Sequence, residues 1–140
     1  MNRDQIFYPD RTTLEWWISN LQSSNPLLRV ALPNIDTEWY EQIMRTLEMV
    51  QMSVYDSDLH RKAAVIFYMI NKGHRDVDGN KRSSILVVYL FYLVNNHYIP
   101  RSFPIKKLAK SVARSKGRKN YDTWIAKIER AFQNSVRSIS

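Results

Sequence analysis

The sequence has 140 residues, a formal net charge of +8 and no cysteine; its length fits one domain, residues 1–140, and its composition excludes disulfides and thiolate metal sites. Its longest apolar run, residues 85–94, is ten residues, whereas a membrane helix needs about 20. The N-terminus has acidic residues and no apolar signal core, so we expect a cytoplasmic protein without a membrane segment.

The positive charge is concentrated in the last part of the chain. Residues 1–100 hold 10 lysines and arginines and 11 acidic residues, for a net charge of −1, whereas residues 101–140 hold 11 and 2, for a net charge of +9. A field of this sign attracts acidic partners. The C-terminal quarter is therefore a candidate surface for an acidic protein segment.

Helical periodicity runs through most of the chain, which predicts an all-α fold. The pattern Thr12-x-x-Glu15 is typical of a capping box, and Asp36 is a good N-cap for the second helix. The fourth helix is apolar on all sides apart from tyrosine hydroxyls and should lie at the centre. The predicted helices cover residues 12–21, 39–54, 58–73 and 80–95, followed by two short basic helices within 104–134.

The helix-loop-helix unit at residues 58–96 carries a loop with the composition of a phosphate-binding site, His74-Arg75-Asp76-Val77-Asp78-Gly79-Asn80-Lys81-Arg82. Free backbone N–H groups at the start of a helix bind anions, and glycine lets the chain approach an oxygen-rich ligand closely. Gly79 and Asn80 are expected to open the fourth helix, and Lys81 and Arg82 add two positive charges at the same turn.

Asp78 and His74 add the groups that a transfer reaction needs. Phosphates repel a neighbouring carboxylate unless a cation bridges the two, and Mg²⁺ does so with one or two carboxylates and phosphate oxygens. Asp78 is therefore the candidate magnesium ligand. Histidine titrates near neutrality, so His74 can remove a proton from an attacking hydroxyl. The loop thus predicts Mg²⁺-dependent transfer of a phosphate-containing group from a nucleotide.

The same residues also suit a simple turn. Asp-Gly-Asn is turn chemistry, and Asp78 or Asn80 could cap the helix while His74 lies on the surface. Against this interpretation, Lys81 and Arg82 oppose the helix dipole at a cost of about 0.3–1 kcal/mol each, which a bound anion would remove.

The helix-loop-helix unit resembles the core of the Fic/Doc superfamily. That family has a loop close to H-x-F-x-[D/E]-[G/A]-N-[G/K]-R between two inner helices, and the loop here reads HRDVDGNKR. The resemblance implies a Fic/Doc-like helical bundle with Mg²⁺ as cofactor. By position it implies His74 as general base, Asp78 as metal ligand, Gly79 and Asn80 as anion hole, and Lys81 and Arg82 as phosphate contacts.

The family also uses a short β-hairpin flap that pairs with the target protein. The segment 25–34 is the one longer stretch without helical character, and it precedes the core as such a flap should. Leu28, Arg29 and Val30 can form a short strand within it and are the residues expected to dock the target.

Two positions depart from the family pattern. Asp76 replaces a phenylalanine that anchors the loop in the core, so it must face solvent or find a partner, and it is also a candidate second metal ligand. Ile85 stands where adenylyl-transferring members carry a second arginine for the γ-phosphate. With Lys81, this absence resembles the Doc (death-on-curing) toxin branch, whose members move the γ-phosphate onto a translation factor. We therefore favour phosphorylation of a Ser, Thr or Tyr hydroxyl, with ATP as donor, over adenylyl transfer.

The resemblance also implies a partner, an acidic antitoxin. The patch that could receive it comprises Lys106, Lys107, Lys110, Arg114, Lys116, Arg118 and Lys119. Two hypotheses of other classes stay open. One is a nucleic-acid-binding module that stacks bases on Tyr121 and Trp124, although Trp124, Ile128 and Phe132 at helical spacing suit a core better. The other is an inactive Fic-like scaffold, with Asp76 as the lesion.

Overall fold

The computed structural model describes residues 5–24, 35–52, 58–73, 77–115 and 120–139. Helices dominate these ranges, together with one small antiparallel sheet, which confirms the predicted all-α class. No helix in these ranges is both long enough and apolar enough to cross a membrane. In chain order the elements are α1 (Arg11–Ser24), α2 (Thr37–Met52), α3 (Leu59–Asn71), α4 (Val77–Val94), β1 (His97–Tyr98), α5 (Ile105–Arg114), α6 (Tyr121–Ser135) and β2 (Arg137–Ser138).

Helices α3 and α4 form the centre of the fold and run antiparallel. At one end Asn80 of α4 contacts Gly73, and at the other Tyr92 of α4 contacts His60 of α3. Residues 83–92 of α4 are all buried, because neighbours cover every side of this helix, as its apolar composition predicts. Helix α6 packs against α3, and α5 packs against α4.

Helix α4 begins at Val77, three residues before the predicted start at about Asn80. The prediction placed Val77 and Asp78 in the loop and let Gly79 and Asn80 open the helix. In the structure these residues belong to the first turn of the helix, where an acidic residue such as Asp78 is favoured by the helix dipole. The predicted loop is therefore shorter than expected, and its second half is helical.

The N-terminal ends of three helices are capped by aspartates. Asp36 Oδ1 accepts from the Trp39 backbone N–H at 2.9 Å, which confirms the predicted cap of α2, and Asp58 caps α3 by accepting from the His60 backbone N–H at 3.3 Å. The capping box at Thr12 is wrong. Asp10 Oδ1 accepts from the Thr13 backbone N–H at 2.7 Å, so α1 begins one residue earlier, at Arg11.

The small sheet lies at the C-terminal end of α4. Tyr98 pairs with Arg137 and His97 with Ser138, and the Ile139 backbone N–H donates to the Asn96 carbonyl at 2.9 Å. The sequence did not predict these two-residue strands. The predicted flap at residues 25–34, with Leu28, Arg29 and Val30, lies outside the described residues.

Candidate functional site

The predicted loop divides into a part that the structure describes and a part that it does not. His74, Arg75 and Asp76 lie outside the described residues. The backbone of Asp78 lies in the first turn of α4, but its side chain is not described. Gly79 and Asn80 are buried in that turn. Roles for His74, Asp76 and the Asp78 carboxylate therefore stay predictions.

Lys81 and Arg82 follow directly on the first turn of α4, and both are half-buried. Both residues lie near the beginning of the helix, where a cation opposes the helix dipole. An anion bound at this turn would interact favourably with both side chains and with the free N–H groups of the helix end.

Asn80 ties the start of α4 to the end of α3. Its side-chain Nδ2 donates a hydrogen bond to the Gly73 carbonyl, and the side chain is only 8% exposed. One of the two N–H groups of this amide therefore serves the chain, and the anion-binding role of Asn80 stays a prediction. The contact fixes the distance that the segment 74–76 must span.

Gly73 allows the close approach at the end of α3. A Cβ atom placed there would lie 3.2 Å from the Ile70 carbonyl oxygen and 3.6 Å from Asn80 Nδ2. The Gly73 backbone N–H also donates to that Ile70 carbonyl at 3.1 Å. A side chain at position 73 would therefore crowd the turn that leads into the predicted loop.

A cavity of about 550 Å³ lies beside the first turn of α4. Its volume falls in the range of about 300–1,000 Å³ that is typical of small-molecule sites. Helix α2 forms one side, and the end of α3 with the start of α4 forms the other. Apolar lining comes from Trp39, Ile43, Met49, Met69 and Ile70.

Polar groups line the same cavity at its two ends. Asn80 and Ser83 contribute from α4, while Glu38, Gln42 and Arg45 contribute from α2. The Gln42 amide donates to Glu38 Oε1 at 3.3 Å, so this carboxylate oxygen already has one hydrogen-bond donor. The cavity thus combines an apolar wall with a few polar groups, the usual composition of a ligand site.

The wall formed by Trp39 is rigidly held. Its indole Nε1–H donates to Ser83 Oγ at 2.8 Å, and the side chain is buried. Ser84, the next residue of α4, donates to the Lys81 carbonyl at 2.7 Å. The sequence gives no signal that the Trp39 N–H would join α2 to the start of α4.

Two further residues beside the loop were missed by the sequence. Lys72 Nζ donates to the Ser115 carbonyl at the end of α5, and burial lowers the pKa of Lys72. Asn71 Nδ2 donates to the Ala109 carbonyl at 3.1 Å, while Asn71 Oδ1 is buried and has no hydrogen-bond partner among the described residues. Both side chains attach α5 to the helix end that precedes the loop.

Ile85, the position of the missing family arginine, is 6% exposed and belongs to the core. An apolar side chain there cannot hold a phosphate.

The structure describes the predicted metal site only in part. Over the described ranges, no three side chains among His, Cys, Asp and Glu come together as a metal site.

The two aromatic residues of the nucleic-acid hypothesis take part in packing. Tyr121 lies edge-on to Tyr68, with ring centroids 5.3 Å apart, and both Tyr121 and Trp124 are half-buried. Ile128 and Phe132, on the same face of α6 as Trp124, are fully buried. This face of α6 is part of the core, as its spacing predicts.

Comparison with known proteins gives no match to a family model, to a curated protein or to a solved structure. The function of the chain must therefore be inferred from the residues of this site and from the loop motif.

Proposed function

We propose that this protein is a Mg²⁺-dependent transferase that moves a phosphate-containing group from a nucleotide to a hydroxyl of another protein. Phosphorylation with ATP as donor, as in the Doc branch of the Fic/Doc family, is the favoured form. The observation that carries the proposal is the cavity of about 550 Å³ beside the helix turn that holds Gly79 and Asn80 and is followed by Lys81 and Arg82.

The cavity and the helix turn suit the two halves of a nucleotide. The apolar wall of Trp39, Met49 and Met69 would contact the base, and thioethers favour contact with aromatic rings. The phosphates would lie at the first turn of α4, beside the two cations. The cavity would thereby supply the apolar contacts, and the adjoining helix turn the cationic contacts, that a nucleoside triphosphate requires.

The residues fit a magnesium ion that arrives with the nucleotide. Asp78 would supply one carboxylate from the first turn of α4, and Mg²⁺ commonly uses one or two carboxylates together with phosphate oxygens and waters. When bound, the ion would neutralise phosphate charge.

The acceptor chemistry is assigned from the loop motif. His74 would take the proton from a Ser, Thr or Tyr hydroxyl of the target, and the flap residues Leu28, Arg29 and Val30 would align the target's backbone. Ile85 supports phosphoryl rather than adenylyl transfer, because its buried apolar side chain provides no contact for a γ-phosphate in the adenylyl-transferring orientation.

Equilibrium binding of ATP tests the site before any target is known. We expect saturable binding that Mg²⁺ strengthens. The variant Arg82→Met should weaken binding by about 10–100-fold, since a hydrogen bond to a charged group contributes about 1.5–3 kcal/mol. The variant Arg114→Met makes the same charge change on the exposed face of α5 and serves as the matched control.

A second variant tests the contribution of the cavity to binding separately from that of the charged side chains. Thr46 lines the cavity and is half-buried, so Thr46→Trp should fill the space intended for the base and abolish binding. If ATP binds equally well to Arg82→Met, Arg114→Met and Thr46→Trp, the nucleotide does not occupy this cavity and the proposal is wrong.

A further inference from the structure

Two histidines lie together at the C-terminal end of α4, away from the helix turn that holds Asn80. His60 belongs to the first turn of α3, and His97 begins β1. The chain reverses between α4 and β1 because Asn96 has a left-handed backbone conformation, with φ of 61°, which asparagine tolerates at the end of a helix. After this reversal the ring centroids of His60 and His97 are 6.2 Å apart.

Both imidazole rings contact Tyr92, a buried residue of α4. The centroid of the Tyr92 ring lies 5.7 Å from that of His60 and 6.3 Å from that of His97. The two histidines are themselves only half-buried. The pair is therefore packed against the core on one side, while an ion in solution can reach it from the other.

Hydrogen bonds engage the Nδ1 atom of each ring. His97 Nδ1 lies 2.7 Å from the Asn95 carbonyl oxygen, which only accepts, so this nitrogen carries the proton and Nε2 of the neutral ring keeps its lone pair. His60 Nδ1 lies 2.9 Å from the Tyr92 hydroxyl, which accepts as well as donates, so His60 can adopt the same tautomer. Metal-binding histidines have this arrangement, with the second ring nitrogen donating to an oxygen of the protein.

The surroundings of His60 favour the neutral form, which is the form that binds metal ions. Burial lowers the pKa of His60 against the opposing effect of the Asp58 carboxylate, and the neighbouring His97 lowers it further. Both carboxylates that act on His60 have other contacts: Asp58 caps α3, and Glu129 pairs with Arg61 at 3.3 Å. Protons therefore compete less strongly for this imidazole at neutral pH.

We propose that His60 and His97 bind a divalent transition-metal ion, Cu²⁺, Ni²⁺ or Zn²⁺, through their Nε2 atoms. Two rings bonded to one ion at about 2.0–2.1 Å have centroids roughly 5–6.5 Å apart, and the observed 6.2 Å lies in this range. No third His, Cys, Asp or Glu side chain joins them in the part of the chain that the structure describes, so waters complete the coordination. Imidazole favours these ions over Mg²⁺ and Ca²⁺, which bind oxygen ligands.

The bound ion would join the start of α3 to β1. It should stabilise the folded chain, because the two histidines are brought together by folding and an ion that binds the native state shifts the unfolding equilibrium. The site lies at the other end of α4 from Asn80, so the inference does not depend on the proposed function.

Calorimetric titration of the full chain with Zn²⁺ and with Cu²⁺, in an excess of Mg²⁺ that occupies oxygen sites, tests the proposal. We expect one saturable site per chain, with tighter binding of Cu²⁺ than of Zn²⁺. His60→Gln and His97→Gln should each weaken binding by at least about tenfold. His74→Gln changes the third histidine of the sequence and is the matched control, with a change of less than about twofold.

Pulsed electron paramagnetic resonance of the Cu²⁺ complex counts the bound imidazoles. We expect two in the original protein and one in either single variant, while circular dichroism verifies that each variant is folded. The proposal would be overturned by the absence of saturable binding, by an unchanged affinity in His60→Gln or His97→Gln, or by a single bound imidazole in the original protein. Loss of binding in His74→Gln would likewise contradict it, because the ion would then lie at the predicted loop.

Discussion

The contact between Asn80 and Gly73 should govern both the stability of the fold and the shape of the site. The variant Asn80→Ala removes the donor and leaves the Gly73 carbonyl without its hydrogen bond. An unsatisfied buried polar group costs about 1–3 kcal/mol. Because Gly73 itself is exposed, water can reach its carbonyl in part, and we expect a loss near the lower end of that range.

A second substitution at the same position separates the lost bond from the lost volume. Asn80→Asp keeps the shape but replaces the N–H donor with a carboxylate oxygen that would face the carbonyl. It should therefore destabilise the protein more than Asn80→Ala does. It should also weaken ATP binding further, because it adds a negative charge at the proposed phosphate site.

Urea unfolding followed by circular dichroism gives the free energy of unfolding of both variants, and ATP titration gives their affinities. A conserved m-value would show that the comparison reflects stability rather than a changed unfolded state. If Asn80→Asp proves as stable as the original protein, the amide does not serve the Gly73 carbonyl, and the description of the loop boundary is wrong.

Two other predictions concern hydrogen bonds elsewhere in the fold. Trp39→Phe and Ser83→Ala each break the buried 2.8 Å bond; each should cost at least about 0.5–1.5 kcal/mol in urea unfolding, and a purely additive double variant would contradict the contact. Burial lowers the pKa of His60, which lies 2.9 Å from the Tyr92 hydroxyl. The unfolded state therefore binds more protons, and the free energy of unfolding should fall as the pH drops through about 6.5, the ordinary pKa of histidine, where the unfolded chain gains its proton. A plot of the free energy of unfolding against pH should be flatter over this range for His60→Gln than for the original protein. An unchanged slope would refute a role for His60.

The helices could be predicted because their apolar residues repeat at helical spacing. The continuous apolar run of α4 predicted its central position, and Asp36 and Asp58 predicted the starts of α2 and α3. Helix ends were less certain where several residues suit the same role. At the start of α1, Asp10 and Thr12 are both good caps, and only the backbone geometry shows that Asp10 is used.

The sheet could not be predicted, because its strands are two residues long and carry no periodic pattern. Their pairing depends on the chain after α6 returning to the end of α4. The hydrogen bond from Ile139 to Asn96 joins residues more than forty positions apart. The sequence of either segment alone does not indicate that it pairs with the other.

The chemistry of the candidate site was predictable in its residue types but not in its surroundings. Lys81 and Arg82 were identified from their place after Gly79 and Asn80. The cavity was not, because it arises where α2 packs against the ends of α3 and α4. Similarly, the hydrogen bond from Trp39 to Ser83 could not be predicted, because it depends on tertiary packing.

The most direct test of the proposed activity is transfer of label from ATP to protein. The purified chain would be incubated with Mg²⁺ and cell lysate, once with ATP labelled at the γ-phosphate and once with ATP labelled at the α-phosphate. His74→Ala is the test variant, and His97→Ala, at the opposite end of α4, is the matched control. We predict a labelled protein band with γ-label only, absent in His74→Ala and retained in His97→Ala. A band with α-label would instead assign adenylyl transfer, and a band that persists in His74→Ala would contradict the proposed role of the loop.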